Sequence, residues 1–377
     1  MPFLNDMLDD TDRRRKNDEA LAAENALAEG TRPAKRAHKG LMTRFQFDLE
    51  LVERHLRETI VGQDEAIAHV LDSLRIVCAD IGDPRRPLTT TLFLGPTGVG
   101  KTELVRSVAR AIHGDADAVC RIDMNTLSQE HYAAALTGAP PGYVGSKEGT
   151  TILDQEKIEG SHGRPGIVLF DELEKASDEV VLALLNVFDN GMLTVASGER
   201  TYSFRNALVF MTSNLATREI QALDGNSLAK LRARLSAASG ARSEPRLKLA
   251  HKALLKRFPP EFVNRIDHIE VFNPITPQHM DQLVEVELSK LNRRIAKHRC
   301  RVVLDDDVST FLAKAGYDQR FGARGLRRAL RKHVEVALAK YLLDRYVSSE
   351  LDQFLTQLRA RLIEDQRIDF EIDNQAG

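Results

Sequence analysis

The chain has 377 residues, and its 53 Lys and Arg nearly balance 55 Asp and Glu, for a formal charge of −2. That balance gives no global drive toward nucleic acid or an anionic membrane, and 42% hydrophobic with 29% charged residues excludes an intrinsically disordered chain. No apolar run approaches the roughly 18 residues of a membrane-spanning helix, the N-terminus carries no secretory signal pattern, and Cys78, Cys120 and Cys300 form no CxxC pair, so a cytoplasmic protein is expected.

Residues 1–45 are rich in charge and Ala and have too little apolar surface to bury. A mobile N-terminal tail is expected, with a short helix over Asp18 to Ala28. Residues 46–275 then alternate helix-like and strand-like runs. Thr90 to Leu94, Cys120 to Asp123, Ile167 to Phe170 and Ala207 to Met211 read as strands. Most are unbroken apolar runs separated by helical patterns, which predicts a parallel sheet covered by helices on both faces, an α/β fold. Thr217 to Arg257 breaks the rhythm: it is basic and rich in Ala and Leu, and reads as a solvated helical insertion with a loop over Ser236 to Pro245. Pro274 and Pro277 mark a boundary. Residues 276–377 read as a smaller, mainly helical domain: a helix over Gln278 to His298, a short strand from Arg301 to Leu304, helices to about residue 365, and a last strand from Arg367 to Ile372.

Gly95-Pro96-Thr97-Gly98-Val99-Gly100-Lys101-Thr102 fits GxxxxGK[ST]. It follows an apolar strand and opens a helix that stops at Gly114, the context such a loop needs. Its glycines let backbone N–H groups turn toward phosphate oxygens, and the helix N-terminus adds partial positive charge. Lys101 is placed to reach the β- and γ-phosphates of ATP, and the Thr102 hydroxyl to ligate Mg²⁺. The strand Ile167 to Phe170 ends in two acids. Burying them along the strand is costly, so they are expected at its exposed C-terminal end, Asp171 holding Mg²⁺ and Glu172 activating water. Asn214, at the tip of the following strand, is placed to bridge the γ-phosphate and that water.

With these motifs in place, the chain from about Ile60 to Leu343 resembles the AAA+ ATPases of the Clp unfoldase and chaperone class, most of all the second ATPase module of the ClpB, ClpA and ClpV type. Ile60-Val61-Gly62-Gln63-Asp64-Glu65-Ala66 resembles the adenine-side segment, and Pro84-Arg85-Arg86-Pro87 the run before the first strand. Asp171 to Ala176 matches the extended second motif. Pro260 to Asp267 resembles the arginine-finger segment and Gly322 to Arg328 the start of the second sensor helix. Gly138 to Gly145 resembles the axial pore loop, and Asn190-Gly191 with Ser197 to Arg200 a second loop.

The resemblance implies a P-loop sheet domain with a small helical C-terminal domain. It also implies ATP and Mg²⁺ as cofactors and a ring of copies, usually six. Arg265 becomes the finger offered to the neighbour's nucleotide, and Arg324 a γ-phosphate contact from the small domain. Gly142, Tyr143, Val144 and Gly145 become a mobile grip on a polypeptide passing through the ring.

The 377 residues contain no counterpart of the N-terminal domain and preceding ATPase module of the best-known members, so client choice is expected to fall to the tail, the 217–257 insertion or an adaptor. No Ile/Leu-Gly-Phe/Leu tripeptide occurs in residues 215–260, so docking to a Clp peptidase is not expected. An unfoldase or remodelling chaperone is the first expectation. A nucleic-acid motor or loader and a dedicated secretion or assembly ATPase are the alternatives.

Overall fold

The computed structural model describes residues 43–127, 152–194, 201–217, 219–220, 243–318, 322–344, 356–363 and 367–372. Residues 1–42 of the N-terminal tail, the 138–145 loop with Gly142, Tyr143, Val144 and Gly145, and residues 197–200 lie outside them, while Phe45, at the end of the expected tail, is buried in the core.

Helix α1 (Leu49–Thr59) starts where Asp48 accepts N–H bonds from Glu50 and Leu51 (2.8 and 3.3 Å). Helix α2 (Asp64–Cys78) follows, then β1 (Thr89–Leu94), whose six residues are all buried. Helix α3 (Lys101–His113) ends at Gly114, left-handed at φ +80°. Next come β2 (Cys120–Asp123), α4 (Gln155–Glu159) and β3 (Gly166–Asp171). Helix α5 (Asp178–Asn190) is capped by the Ser177 hydroxyl. A small antiparallel pair, β4 (Met192–Thr194) and β5 (Thr201–Ser203), precedes β6 (Ala207–Ser213). Helices α6 (Ser243–Arg257) and α7 (Pro260–Val263) lead into β7 (His268–Val271).

The five long-range strands form one parallel sheet in the order β2-β3-β6-β1-β7. Side chains alternate between its faces. Phe93, Ile167, Leu169, Leu208 and Phe210 enter the core shared with α1, α2 and α3. Leu92, Leu94, Val168, Phe170, Val209 and Met211 enter the core built with α5, α6 and α7. Phe93 sits between Phe210 (ring centroids 5.6 Å apart) and Phe272 (5.1 Å).

The C-terminal region holds α8 (Met280–Ile295), β8 (Cys300–Leu304), α9 (Asp306–Gly316) and α10 (Ala323–Leu330). A π turn over Arg331–Glu335, α11 (Val336–Asp344), β9 (Thr356–Ile363) and β10 (Arg367–Ile372) follow. Its three strands form a sheet in the order β10-β9-β8. Leu291, Val302, Leu326, Leu358 and Phe370 belong to the same buried cluster as the α1–α3 face, so one continuous apolar core joins this region to the large sheet.

Two expectations need correction. Residues 356–363 are a strand and not the end of a helical run: β9 pairs parallel with β8 and antiparallel with β10. The last third of the 217–257 stretch is no solvated insertion. Within α6, Ala250 and Leu254 are fully buried against the sheet, and the helix begins at Ser243, inside the expected loop. Its basic composition sits on the outer face and conceals the buried stripe.

Candidate active site

The parallel strands β1, β3 and β6 end side by side, and the sites expected for nucleotide chemistry lie at those ends. Gly95, Gly98 and Gly100 have φ of +140°, +78° and +108°, conformations that L side chains rarely adopt. At Gly95 a Cβ would also fall 3.1 Å from the Phe272 carbonyl, so the loop has glycine there for both conformation and space. Lys101 is buried at the start of α3. Its Nζ donates to the Gly95 carbonyl, to the Pro96 carbonyl (2.9 Å) and to Asn214 Oδ1 (2.9 Å). Burial pushes its pKa down to about 8. Glu174, Asp171 and Glu172 oppose the shift, while Arg324 adds to it.

Asp171 closes β3 and is itself buried, contrary to the exposed position expected for it. It escapes the cost of burial because its oxygens are bonded. Oδ2 accepts from Arg121 Nε (3.1 Å) and Nη2 (2.6 Å). Oδ1 accepts from the Thr212 hydroxyl and from Thr102 Oγ1 (3.4 Å). Thr102 and Asp171 are thus brought together across 69 residues of sequence. Their donors are all oxygen, which fits a hard divalent cation such as Mg²⁺.

Glu172 is left-handed, at φ +58°. That is uncommon for a residue with a side chain. Its N–H donates to Thr212 Oγ1 (3.1 Å), and its Oε2 accepts from Asn125 Nδ2. Asn214 is anchored on the other side, its N–H donating to Glu174 Oε1 (3.3 Å). The second Glu174 oxygen is buried with no partner among the described residues.

Ile60 and Val61 are buried beside the loop. The adjacent Gln63 is 1% exposed and donates to the carbonyls of Val99 (3.3 Å) and Asn273 (2.9 Å), while accepting the Asn273 N–H (2.8 Å). It therefore fastens the adenine-side segment to the phosphate loop and to the chain leaving β7. The C-terminal region touches the same loop. Ala323 N–H donates to the Gly98 carbonyl (3.0 Å), and a Cβ on Gly322 would lie 2.6 Å from that oxygen. Arg324 follows on the exposed start of α10, close enough for its charge to act on Lys101.

Arg265 does not join this group. Its carbonyl accepts from Thr90 Oγ1 (3.0 Å) and Arg86 Nη2 (3.3 Å), and its Nε pairs with Asp189 Oδ1 (2.8 Å). Thr90 is at the start of β1, whereas the phosphate loop leaves its end, about 16 Å away at roughly 3.3 Å per residue.

Sequence reasoning did not single out Arg121 and Asn125 as site residues, and it included Gln63, Thr212 and Glu174 only as parts of longer segments. Asn125 had one available signal: an amide just past a strand that neighbours the acid-bearing one.

Comparison with known proteins bears on the whole arrangement. Residues 86–269 match the family described as AAA domain (Cdc48 subfamily), and residues 275–352 match the C-terminal, D2-small domain, of ClpB protein. The chain is 58% identical over 348 residues to an ATP-dependent protease ATP-binding subunit-like protein AmiB of Pseudomonas aeruginosa, covering 92% of this chain and 94% of that one. It is 43% identical over 300 residues to an ATP-dependent protease ATP-binding subunit-like protein of Rhodococcus erythropolis (79% and 84%). It is 37% identical to the ATP-dependent Clp protease ATP-binding subunit ClpC of Staphylococcus aureus, of which it spans 34%. Among solved structures, a closed state of Hsp104 with ATPγS and FITC casein superposes with a TM-score of 0.69 at 30% identity, over 86% of this chain and 51% of that one.

Proposed function

The chain belongs to the Clp-type AAA+ ATPases, which bind and hydrolyse ATP, and we propose that it couples that hydrolysis to unfolding or remodelling polypeptides as a ring of copies. The observation that carries this proposal is the position of Arg265. Its backbone is held at the far end of β1 from its own phosphate loop, which supports a role for its side chain at a nucleotide on another subunit.

In this reading Ile60, Val61 and the Gly95–Thr102 loop hold ATP, with Lys101 on the β- and γ-phosphates. Thr102 and Asp171 hold Mg²⁺, which when bound neutralises charge on the phosphate oxygens. Glu172 takes a proton from the attacking water, and Asn214 orients that water against the γ-phosphate. The neighbour's Arg265 and the same chain's Arg324 stabilise the charge that develops. Losing the γ-phosphate would remove the Arg324 tie to the nucleotide while the Ala323 bond to the Gly98 carbonyl stays, and the angle between the two units would change. Residues 46–275 and 276–377 would be the two moving units.

Tyr143, between Gly142 and Gly145, would grip the translocating chain without reading its sequence, since an aromatic ring with a polar tip fits many side chains. Among the described residues of the basic 217–257 stretch, Arg246 bonds Asn273, and Arg257 bonds the Glu174 and Ala176 carbonyls and Asp178, so these two guanidinium groups are engaged within the fold. A peptidase partner is not part of the proposal.

The test compares Tyr143→Ala with the parent chain. It should keep basal ATP turnover and lose both stimulation by an unfolded polypeptide and remodelling of a tagged, folded one. Undiminished remodelling by Tyr143→Ala would overturn the threading mechanism. A single-copy mass at saturating ATPγS would overturn the ring.

A further inference from the structure

The outward stripe of α3, formed by Glu103, Arg106, Ser107 and Arg110, points away from the sheet toward α8, α10 and the π turn. Between them lies a cleft of about 690 Å³. Its end is closed by α1, whose Thr59 hydroxyl donates to Ser107 Oγ (3.1 Å). Seven Lys and Arg side chains line this cleft against three glutamates. That is a strong local excess of positive charge on a chain whose net charge is −2.

The glutamates are already engaged. Glu287 accepts from Arg327 Nε and Nη2 (both 3.1 Å) and from Lys290 (3.0 Å). Glu103 pairs with the same lysine, and Glu335 with Arg294. Arg106 pairs outside the cleft lining, with Asp117 (2.7 Å). Arg110, Arg293 and Arg331 remain, and among the described residues their guanidinium groups have no ion-pair or hydrogen-bond partner. One comes from the sheet unit and two from the C-terminal region. Their field reaches His55, whose imidazole is held below its ordinary value by burial first, then by Arg110 and Arg293.

We propose that this cleft binds a short condensed phosphate, bridging Arg110 on one wall to Arg293 and Arg331 on the other. Unpaired guanidinium forks match phosphate oxygens bidentately, and their fixed charge favours a compact polyanion. The cleft is large enough for a small molecule. Among the described residues that line it, His55 supplies the only aromatic ring and Ala116 is the only aliphatic residue, so these offer little to a nucleobase. A ligand held by both walls fixes the angle between the two units and slows ATP turnover. The binding claim itself does not depend on threading or on a ring.

The probe is tripolyphosphate, titrated calorimetrically into the full chain with saturating ADP and with Mg²⁺ in excess of both, so that the phosphate loop is occupied. One site per chain is expected, weakening as salt rises. Arg110→Gln combined with Arg293→Gln should weaken it at least tenfold, Arg110→Lys should retain part of it, and the distant Arg301→Gln should leave it unchanged. Unaltered ADP binding reports that each variant is folded. Should the double variant lose ADP binding, Arg331→Gln alone is read by the same criterion. Absence of uptake at saturating ADP, equal affinity in the arginine variants, or tighter binding of a polyglutamate peptide would each overturn the proposal.

Discussion

Arg265 and Asp189 of one chain form an ion pair, Nε to Oδ1 at 2.8 Å, at the end of the sheet remote from Lys101. The two side chains are 49% and 34% exposed, so the pair holds by no more than about 1 kcal/mol. The backbone is fixed far more firmly, by Thr90 and Arg86. In the proposed ring, a neighbour's phosphate would draw the guanidinium off Asp189 without disturbing the segment that presents it. Arg265→Ala is expected to lower ATP turnover by about 10³-fold or more, roughly 4 kcal/mol, with ATP affinity within a few-fold of the parent. Asp189→Asn should change turnover by less than about fivefold, in line with a pair worth about 1 kcal/mol. Steady-state turnover beside equilibrium nucleotide binding checks both. Parent-like turnover in Arg265→Ala would remove the finger from the mechanism.

Glu172 shares its carboxylate with the Asn125 amide, which competes with water for it. Glu172→Gln should cut kcat by at least about 10²-fold while ATP still binds, because only the proton acceptor is lost. Asn125→Ala should raise basal kcat a few-fold by releasing the carboxylate. A fall in kcat there, with unchanged affinity, would show that the amide positions Glu172 productively.

Lys101 has a pKa of about 8, well below the ordinary lysine range, because it is buried. Bound phosphates favour its charged form, so above pH 8 ATP must bring a proton with it. Apparent ATP affinity should hold below pH 8 and fall as pH rises beyond it. Calorimetry near pH 8.5 in buffers of different ionisation enthalpy should show uptake approaching one proton per ATP. For the free protein the sign is opposite. The folded chain releases this proton before the unfolded chain does, so this lysine's burial penalty shrinks and stability rises between about pH 8 and the ordinary lysine pKa near 10.4. Absence of proton uptake would refute the assignment.

The buried Gln63 side chain makes three hydrogen bonds that join the segment after Ile60 and Val61, the phosphate loop and the exit of β7. Gln63→Ala leaves those backbone groups unpaired. It should cost about 1–3 kcal/mol of stability, with a lower melting temperature and weaker ADP binding together. A melting temperature unchanged by the substitution would mean that water replaces the side chain.

Much of the fold was legible because its signals are contiguous. A run such as Ile167 to Phe170 announces a strand buried on both faces, and Gly95 to Thr102 carries its own left-handed glycines and helix start wherever it is placed. β9 was not legible in this way, because the bonds that make Thr356–Ile363 a strand come from β8, some 50 residues earlier, and from β10. The inner stripe of α6, Ala250 and Leu254, was hidden by the basic residues around it. The catalytic motifs likewise name their own residues but not their partners. Asn125 on Glu172, Arg121 on Asp171 and Asp189 on Arg265 are contacts between elements that only strand order and register bring together. Backbone conformation is set over a few neighbouring residues and can be read from them. Contact across a sheet or cleft depends on how whole elements pack, and the tertiary structure alone decided that.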